Sequence, residues 1–246
     1  MYWTYLILVA GVLGGGFLVY IVKPENRNIL RLLLAFSGAF LIGITFLILV
    51  PEVFREPVPS LGLFVLLGFL LQLVLELLTH GAEHGHEHDT EHCDRGTHIS
   101  PFLLMTGLCI HAFLEGAPII PSIDTGTRNM LVMGIIVHNI PISLTLIILF
   151  IHYGMKRGRA ALLLIIFSLM TPLGSILSQF LQEVTLQDIS YYLNYVMAVV
   201  IGIFLHVSTS ILFETEENHQ VNLRKFMTVI LGLALAFGVS FLGHGQ

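Results

Sequence analysis

The sequence predicts an all-α polytopic membrane protein with eight transmembrane helices, and three observations predict it. Of 246 residues, 55% are hydrophobic and only 11% charged, with a mean hydropathy of +0.87. A soluble surface normally carries about 25% charged residues, so this chain cannot cover itself in water. The apolar residues also gather into runs of the length a bilayer crossing requires, about 20 residues each. Finally, runs such as LGLFVLLGFLLQLVL do not alternate. That excludes a transmembrane barrel and leaves helices, which satisfy their backbone groups within the segment. Eight crossings take about 160 residues, so residues 1–246 are expected to form a single membrane domain with no soluble catalytic domain.

The runs fall at 4–22, 30–50, 61–78, 102–120, 130–151, 160–181, 193–213 and 226–242. The start, MYWTYLILVAGVLGGG, lacks a basic region and a small-residue cleavage site, so it reads as a first span and not a leader. The connector KPENRN is short enough to make spans one and two a tight hairpin. An even number of spans puts both termini on one side, and basic residues choose the side. Connectors one, three, five and seven carry nine Lys and Arg (Lys23, Arg27, Arg31, Arg95, Lys156, Arg157, Arg159, Arg224 and Lys225), against two, Arg55 and Arg128, opposite. The odd connectors are therefore expected in the cytoplasm, with both termini outside, as for a plasma (inner) membrane protein. A seven-span chain would scatter these charges. The net charge of -5 excludes nucleic acid as a partner. Cys93 and Cys109 form no disulfide framework.

Spans four to six are expected to be broken by Pro118, Pro141 and Pro172. A proline lacks the N–H that its helix needs and frees a carbonyl one turn back, here that of Leu114 in span four. Broken helices at mid-membrane are typical of transporter sites. Span four, GLCIHAFLEGAPIIP, places His111 and Glu115 one turn apart on one face. Span five, GIIVHNIPISLTL, adds His138 and Asn139. A charged residue at bilayer depth costs about 2.5–3.5 kcal/mol on insertion scales, so it needs a partner or a job. His111 and Glu115 could simply pair with each other. With His138 they also make a His/Glu/His set, whose ligand types suit Zn²⁺ and accept Fe²⁺, Mn²⁺ or Cd²⁺. His206 in span seven is a further candidate ligand, and Asn139 another. Glu76, near the end of span three, reads as a carboxylate that reaches for the interface.

Connector three, residues 79–100, is a His-rich loop placed in the cytoplasm by the charge count. It carries His80, His84, His86, His88, His92 and His98. Such tracts bind metal by composition, and the irregular spacing suits exchangeable sites better than one closed site. The alternative is a solvated acidic loop.

This pattern resembles the ZIP (Zrt/Irt-like) metal transporter family: eight spans, both ends outside and a His-rich third connector. The local matches are HAFLEG at 111–116 and HNIPIS at 138–143, similar to the family's HNxPEG-like motifs. LVPEVF at 49–54 is similar to its span-two ending, and MTPLGS at 170–175 to its span-six EPLG. Carried over by position, the resemblance implies that His111, Glu115 and His138 are ligands of a transport site and that Asn139 belongs to a second metal position. The chain departs from the family at Ala112, Ile142, Thr171 and Ile48, where Asn, Glu, Glu and His are usual. The second position thus loses most of its ligands. The resemblance implies import of divalent metal into the cytoplasm by an elevator-like shift of spans one, four, five and six. The expected partners are the ion and the lipid bilayer, and a homodimer stays open. Two other readings remain: a metal-binding sensor of the same fold without transport, and an intramembrane zinc hydrolase using His111, His138 and His206. No substrate-pocket signal supports the enzyme.

Overall fold

The structure is a computed structural model that describes residues 1–20, 27–55, 58–79, 101–184, 189–213 and 223–243. The His-rich loop therefore lies outside the described residues. Among those residues there are eight helices and no strand. They are α1 (Tyr2–Phe17), α2 (Arg27–Ile44, continued below), α3 (Leu61–Thr79), α4 (Pro101–Gly116), α5 (Thr125–His152), α6 (Arg157–Val184), α7 (Ile189–Phe213) and α8 (Leu223–Gly243). Six are long and apolar enough to cross a membrane, while α1 and α4 are shorter, at 16 residues each. Sixteen residues rise about 24 Å, short of a hydrocarbon core of about 30 Å. A 3-10 turn, Leu18–Tyr20, extends α1.

The prolines act differently from expectation. Helices α5 and α6 run on through Pro141 and Pro172. Each proline leaves only the carbonyl four residues back, that of Val137 or Ser168, without its usual donor, and the ladder continues on both sides. Ser143 Oγ donates to the Ile140 carbonyl and Thr145 Oγ1 to the Pro141 carbonyl, each at 2.8 Å. Pro118 lies past the end of α4. The Leu114 carbonyl, expected to be free, accepts from the Ala117 N–H at 3.1 Å in a tightened last turn. Beyond it, residues 117–124 are irregular rather than helical to residue 120. Irregular backbone at membrane depth must be buried in protein, and Ile119 and Ile120 are fully buried. The Ile119 carbonyl accepts from Ser175 Oγ of α6.

Helix α2 passes through a π-helical turn, Thr45–Leu49, into a last α-turn, Val50–Val53. The Val50 N–H reaches back five residues to the Thr45 carbonyl. This wider turn stands just before Pro51, whose ring would crowd the carbonyl four residues back in a regular helix.

The helices pack in two groups. The buried residues of one hydrophobic cluster come from α1, α4, α5 and α6 with the turn after α1, and include Val12, Leu108, Phe150, Leu164 and Phe167, with Leu30 and Leu33 of α2 packed against it. Smaller clusters join α2 to α8 (Phe40, Ile44, Ala236) and α2 to α7 (Leu34, Val207, Ile211). Helix α3 packs on α7. A second large cluster bridges the groups through Leu41, Leu131, Ile135 and Phe204. Each group contains a crossing at which two glycines face each other's backbone. A Cβ placed on Gly116 of α4 would lie 2.0 Å from the Thr171 carbonyl oxygen, and one on Gly174 of α6 would lie 1.9 Å from that of Phe113. On α3 and α7, Gly68 and Gly202 stand in the same relation to the carbonyls of Val199 and Val65, at 2.0 and 1.9 Å. Only glycine lets two helix backbones approach this closely.

Candidate metal centre

The close approach of α4 to α6 fixes the rotation of α4, and with it the face that carries His111 and Glu115. That face turns toward α5, where His138 and Asn139 stand at the middle of the helix. All four side chains are buried: His111 and Asn139 are 1% exposed, Glu115 and His138 0%. Nε2 of His111 lies 2.9 Å from Oε1 of Glu115, and Nε2 of His138 lies 4.0 Å from the same oxygen. One ligand atom from each of the three residues can be chosen so that all lie within 4.8 Å of one another. The two imidazole planes meet at 75°, with centroids 5.9 Å apart, so their edges rather than their faces converge on the carboxylate.

The sequence-derived trio is thus brought together in space. Asn139 lies beside Glu115, and its Oδ1 has no hydrogen-bond partner. Neither ring nitrogen of His138 is hydrogen-bonded either. Buried polar atoms normally find partners, and a group of orphans around one point marks a place built for something else. The ligand types, two imidazoles and one carboxylate, match borderline divalent ions.

His206 is placed elsewhere. It stands on α7, where Nδ1 lies 3.3 Å from Oε2 of Glu76 on α3, and the edge of its ring meets Phe69 at 4.7 Å between centroids. Ser210 Oγ donates to the same Glu76 oxygen at 3.3 Å. Glu76 therefore has a protein partner rather than only an interface to reach for. The six loop histidines lie outside the described residues.

Sequence reasoning missed one member of the site. Gln72 of α3 is fully buried, and its Oε1 lies 2.9 Å from Nδ1 of His111. The available signal was faint: a single amide in an apolar span, one turn before Glu76. The positions where the resemblance implied lost ligands are also close by. Ala112 and Ile142 are buried in the α1/α4/α5/α6 cluster, and the Thr171 backbone packs on Gly116, next to Glu115.

A model of the ZIP zinc transporter family matches residues 79–240, more than half of the chain. The chain belongs to the ZIP zinc transporter family. No curated protein matches it. The matched stretch contains α4 to α7, α8 up to residue 240 and all three candidate ligands. It leaves out α1, α2 and nearly all of α3, Gln72 included. As a ZIP protein, the chain is an integral membrane protein and a divalent metal transporter. The buried His–Glu–His cluster is compatible with that activity.

Proposed function

We propose that this ZIP protein carries Zn²⁺ across the membrane into the cytoplasm, with His111, Glu115 and His138 as its intramembrane ligands. The convergence of three buried metal-ligating side chains on one point, several of their polar atoms without hydrogen bonds, carries this reading. One carboxylate against a divalent ion leaves a net charge near +1. Such a site favours Zn²⁺, with Fe²⁺, Mn²⁺ and Cd²⁺ as competitors, over hard ions that need several oxygen ligands. Three protein ligands leave a coordination position for water or exchange. A transported ion needs that, because a site that binds too well does not release.

The basic residues of the odd connectors favour cytoplasmic placement of the His-rich loop, with both termini outside, in the plasma membrane. Its histidines would then receive the released ion. The four helices α1, α4, α5 and α6 share a core of their own, which suits movement of that group against α2, α3, α7 and α8. The cluster stands on the moving side of that boundary, facing α3.

The test is saturable zinc flux into proteoliposomes. Glu115→Gln keeps the shape of the side chain but removes its charge, so uptake per inserted protein is expected to fall by more than the about 10–100-fold typical of losing only an outer partner of a metal ligand. Wild-type uptake by that variant overturns the assignment. A second reading, binding without transport, draws on Ala112, Ile142 and Thr171, where ligand oxygens are missing. Stoichiometric zinc binding by the wild type with no flux would favour it.

A further inference from the structure

The transport reading gives Gln72 no role. It is the one amide in the apolar run of α3, and it is turned inward on the same stripe as Gly68 and Leu75, while Leu70, Leu71 and Val74 face outward. An amide buried at this depth must find its partners within the protein. Its Oε1 finds Nδ1 of His111 at 2.9 Å. A carbonyl oxygen only accepts, so Nδ1 carries the proton and donates. The other nitrogen of a neutral His111, Nε2, then presents its lone pair to Oε1 of Glu115, 2.9 Å away. Two electron-rich atoms held this close repel each other, and a positive charge between them reverses the sign. His138 has no hydrogen-bond partner on either nitrogen, so no neighbour selects its tautomer.

We propose that Gln72 is the positioning residue of the metal site: from α3 it holds His111 of α4 in the Nδ1–H tautomer, so that Nε2 is the ligand atom. This inference rests on the reading of His111 as a ligand. It makes the two histidines unequal, His111 a preset ligand and His138 an adaptable one. It also makes the site straddle the two helix groups, because the residue that sets the tautomer belongs to one group and the ligand to the other. Outer partners of metal-binding histidines orient the ring and raise its basicity, and their loss typically weakens metal binding about 10–100-fold.

The experiment uses full-length protein in nanodiscs, with the six loop histidines replaced by asparagine so that they do not compete for zinc. Zinc affinity is measured by competition with a chromophoric chelator for the parent, Gln72→Leu, Gln72→Glu and Glu115→Gln. Imidazole ¹⁵N spectra are recorded without metal, with the His111 signals assigned by their loss in His111→Asn. Gln72→Leu is expected to bind zinc about 10–100-fold more weakly and to show His111 as a mixture of tautomers. Gln72→Glu, which still accepts from Nδ1, is expected to restore the single tautomer and the affinity. Leucine is apolar and similar in size, so the span should insert, and Gln72→Met provides a second apolar variant. Parent-like affinity and an unchanged His111 spectrum in both apolar variants would overturn the proposal, as would a loss that Gln72→Glu does not restore. If Glu115→Gln binds zinc as well as the parent, the site reading itself has failed, while the ¹⁵N spectra still decide whether Gln72 sets the tautomer.

Discussion

The α4–α6 and α3–α7 crossings are built alike and serve different ends. In each, a glycine on one helix meets the carbonyl three residues before the glycine on the other. Around the α4–α6 crossing, Gly116 directly follows Glu115, so the contact that closes the helices also sets the depth and rotation of a candidate ligand. Around the α3–α7 crossing, His206 packs on Phe69 and lies 3.3 Å from Glu76, and the one group that reaches the candidate site is the amide of Gln72. The difference shows that close packing alone does not mark a site. What marks it is whether three metal-ligating side chains converge on a common point, as His111, Glu115 and His138 do.

Substitutions at the two crossings sharpen the comparison. Gly174→Ala forces a methyl group against the Phe113 carbonyl, and overpacking of this kind costs about 1–3 kcal/mol. Because α4 must move to relieve it, uptake per folded molecule is expected to fall more than about tenfold as well, since small misplacements of reacting groups are costly. Gly202→Ala imposes the same insult on α3 and α7. Its thermal stability in detergent should fall by a similar amount, while uptake by the surviving folded protein falls less than in Gly174→Ala, because α3 carries no ligand and reaches the site only through Gln72. Equal losses of uptake in both variants would remove the distinction between the crossings.

Smaller effects are expected at the paired groups. His206→Ala removes one partner of Glu76, and loss of one partner from a buried polar pair costs about 1–3 kcal/mol. Zinc affinity at the buried cluster should not change, and a large drop would bring His206 back as a ligand. The smallest effect is at the entrance to α5. Asp124 caps that helix by accepting from the Thr127 N–H at 2.9 Å. This backbone hydrogen bond holds the Asp124 carboxyl below its usual range. A carboxyl lowered in the folded state stabilises the fold above its unfolded value, about 3.9, and that contribution is lost as the pH falls through the folded value. Asp124→Ala is therefore expected to cost about 1 kcal/mol at neutral pH, with the difference from wild type shrinking only in acid below about pH 4. A cost that is independent of pH would separate the cap from the charge.

Much of this organisation is legible in the sequence, because the strongest forces act on single residues. Apolar runs announce spans, since lipid accepts little else, and His111, Glu115 and His138 stand out because each is expensive at that depth. What the sequence hides depends on pairs. Gln72 carries no charge, and its importance appears only when α3 is laid against α4. The chain has 23 glycines, and nothing in the local sequence separates Gly116 or Gly202 from a glycine facing lipid. The prolines mislead in the same way. Pro141 and Pro172 remove a hydrogen bond locally, but whether the helix stops depends on the groups packed around it. In α4, the helix ends at Gly116, before Pro118, because the carbonyl ladder closes early on Ala117.

The π-helical turn of α2 has a bearing on insertions and deletions. Such a turn holds one residue more than a regular helix needs over the same rise, so the faces before and after it keep their alignment. Phe46 and Leu47, within the turn, both point outward. Removing Phe46 would let the turn relax to a regular helix while Phe40 and Val53 keep their facing. Removing a residue from the regular stretch, such as Ala35, would swing everything beyond it by about 100° and carry Phe40 and Leu41 out of the core. Loss of one residue should therefore be tolerated better at the outward positions of this turn, Phe46 and Leu47, than along the regular stretch before it.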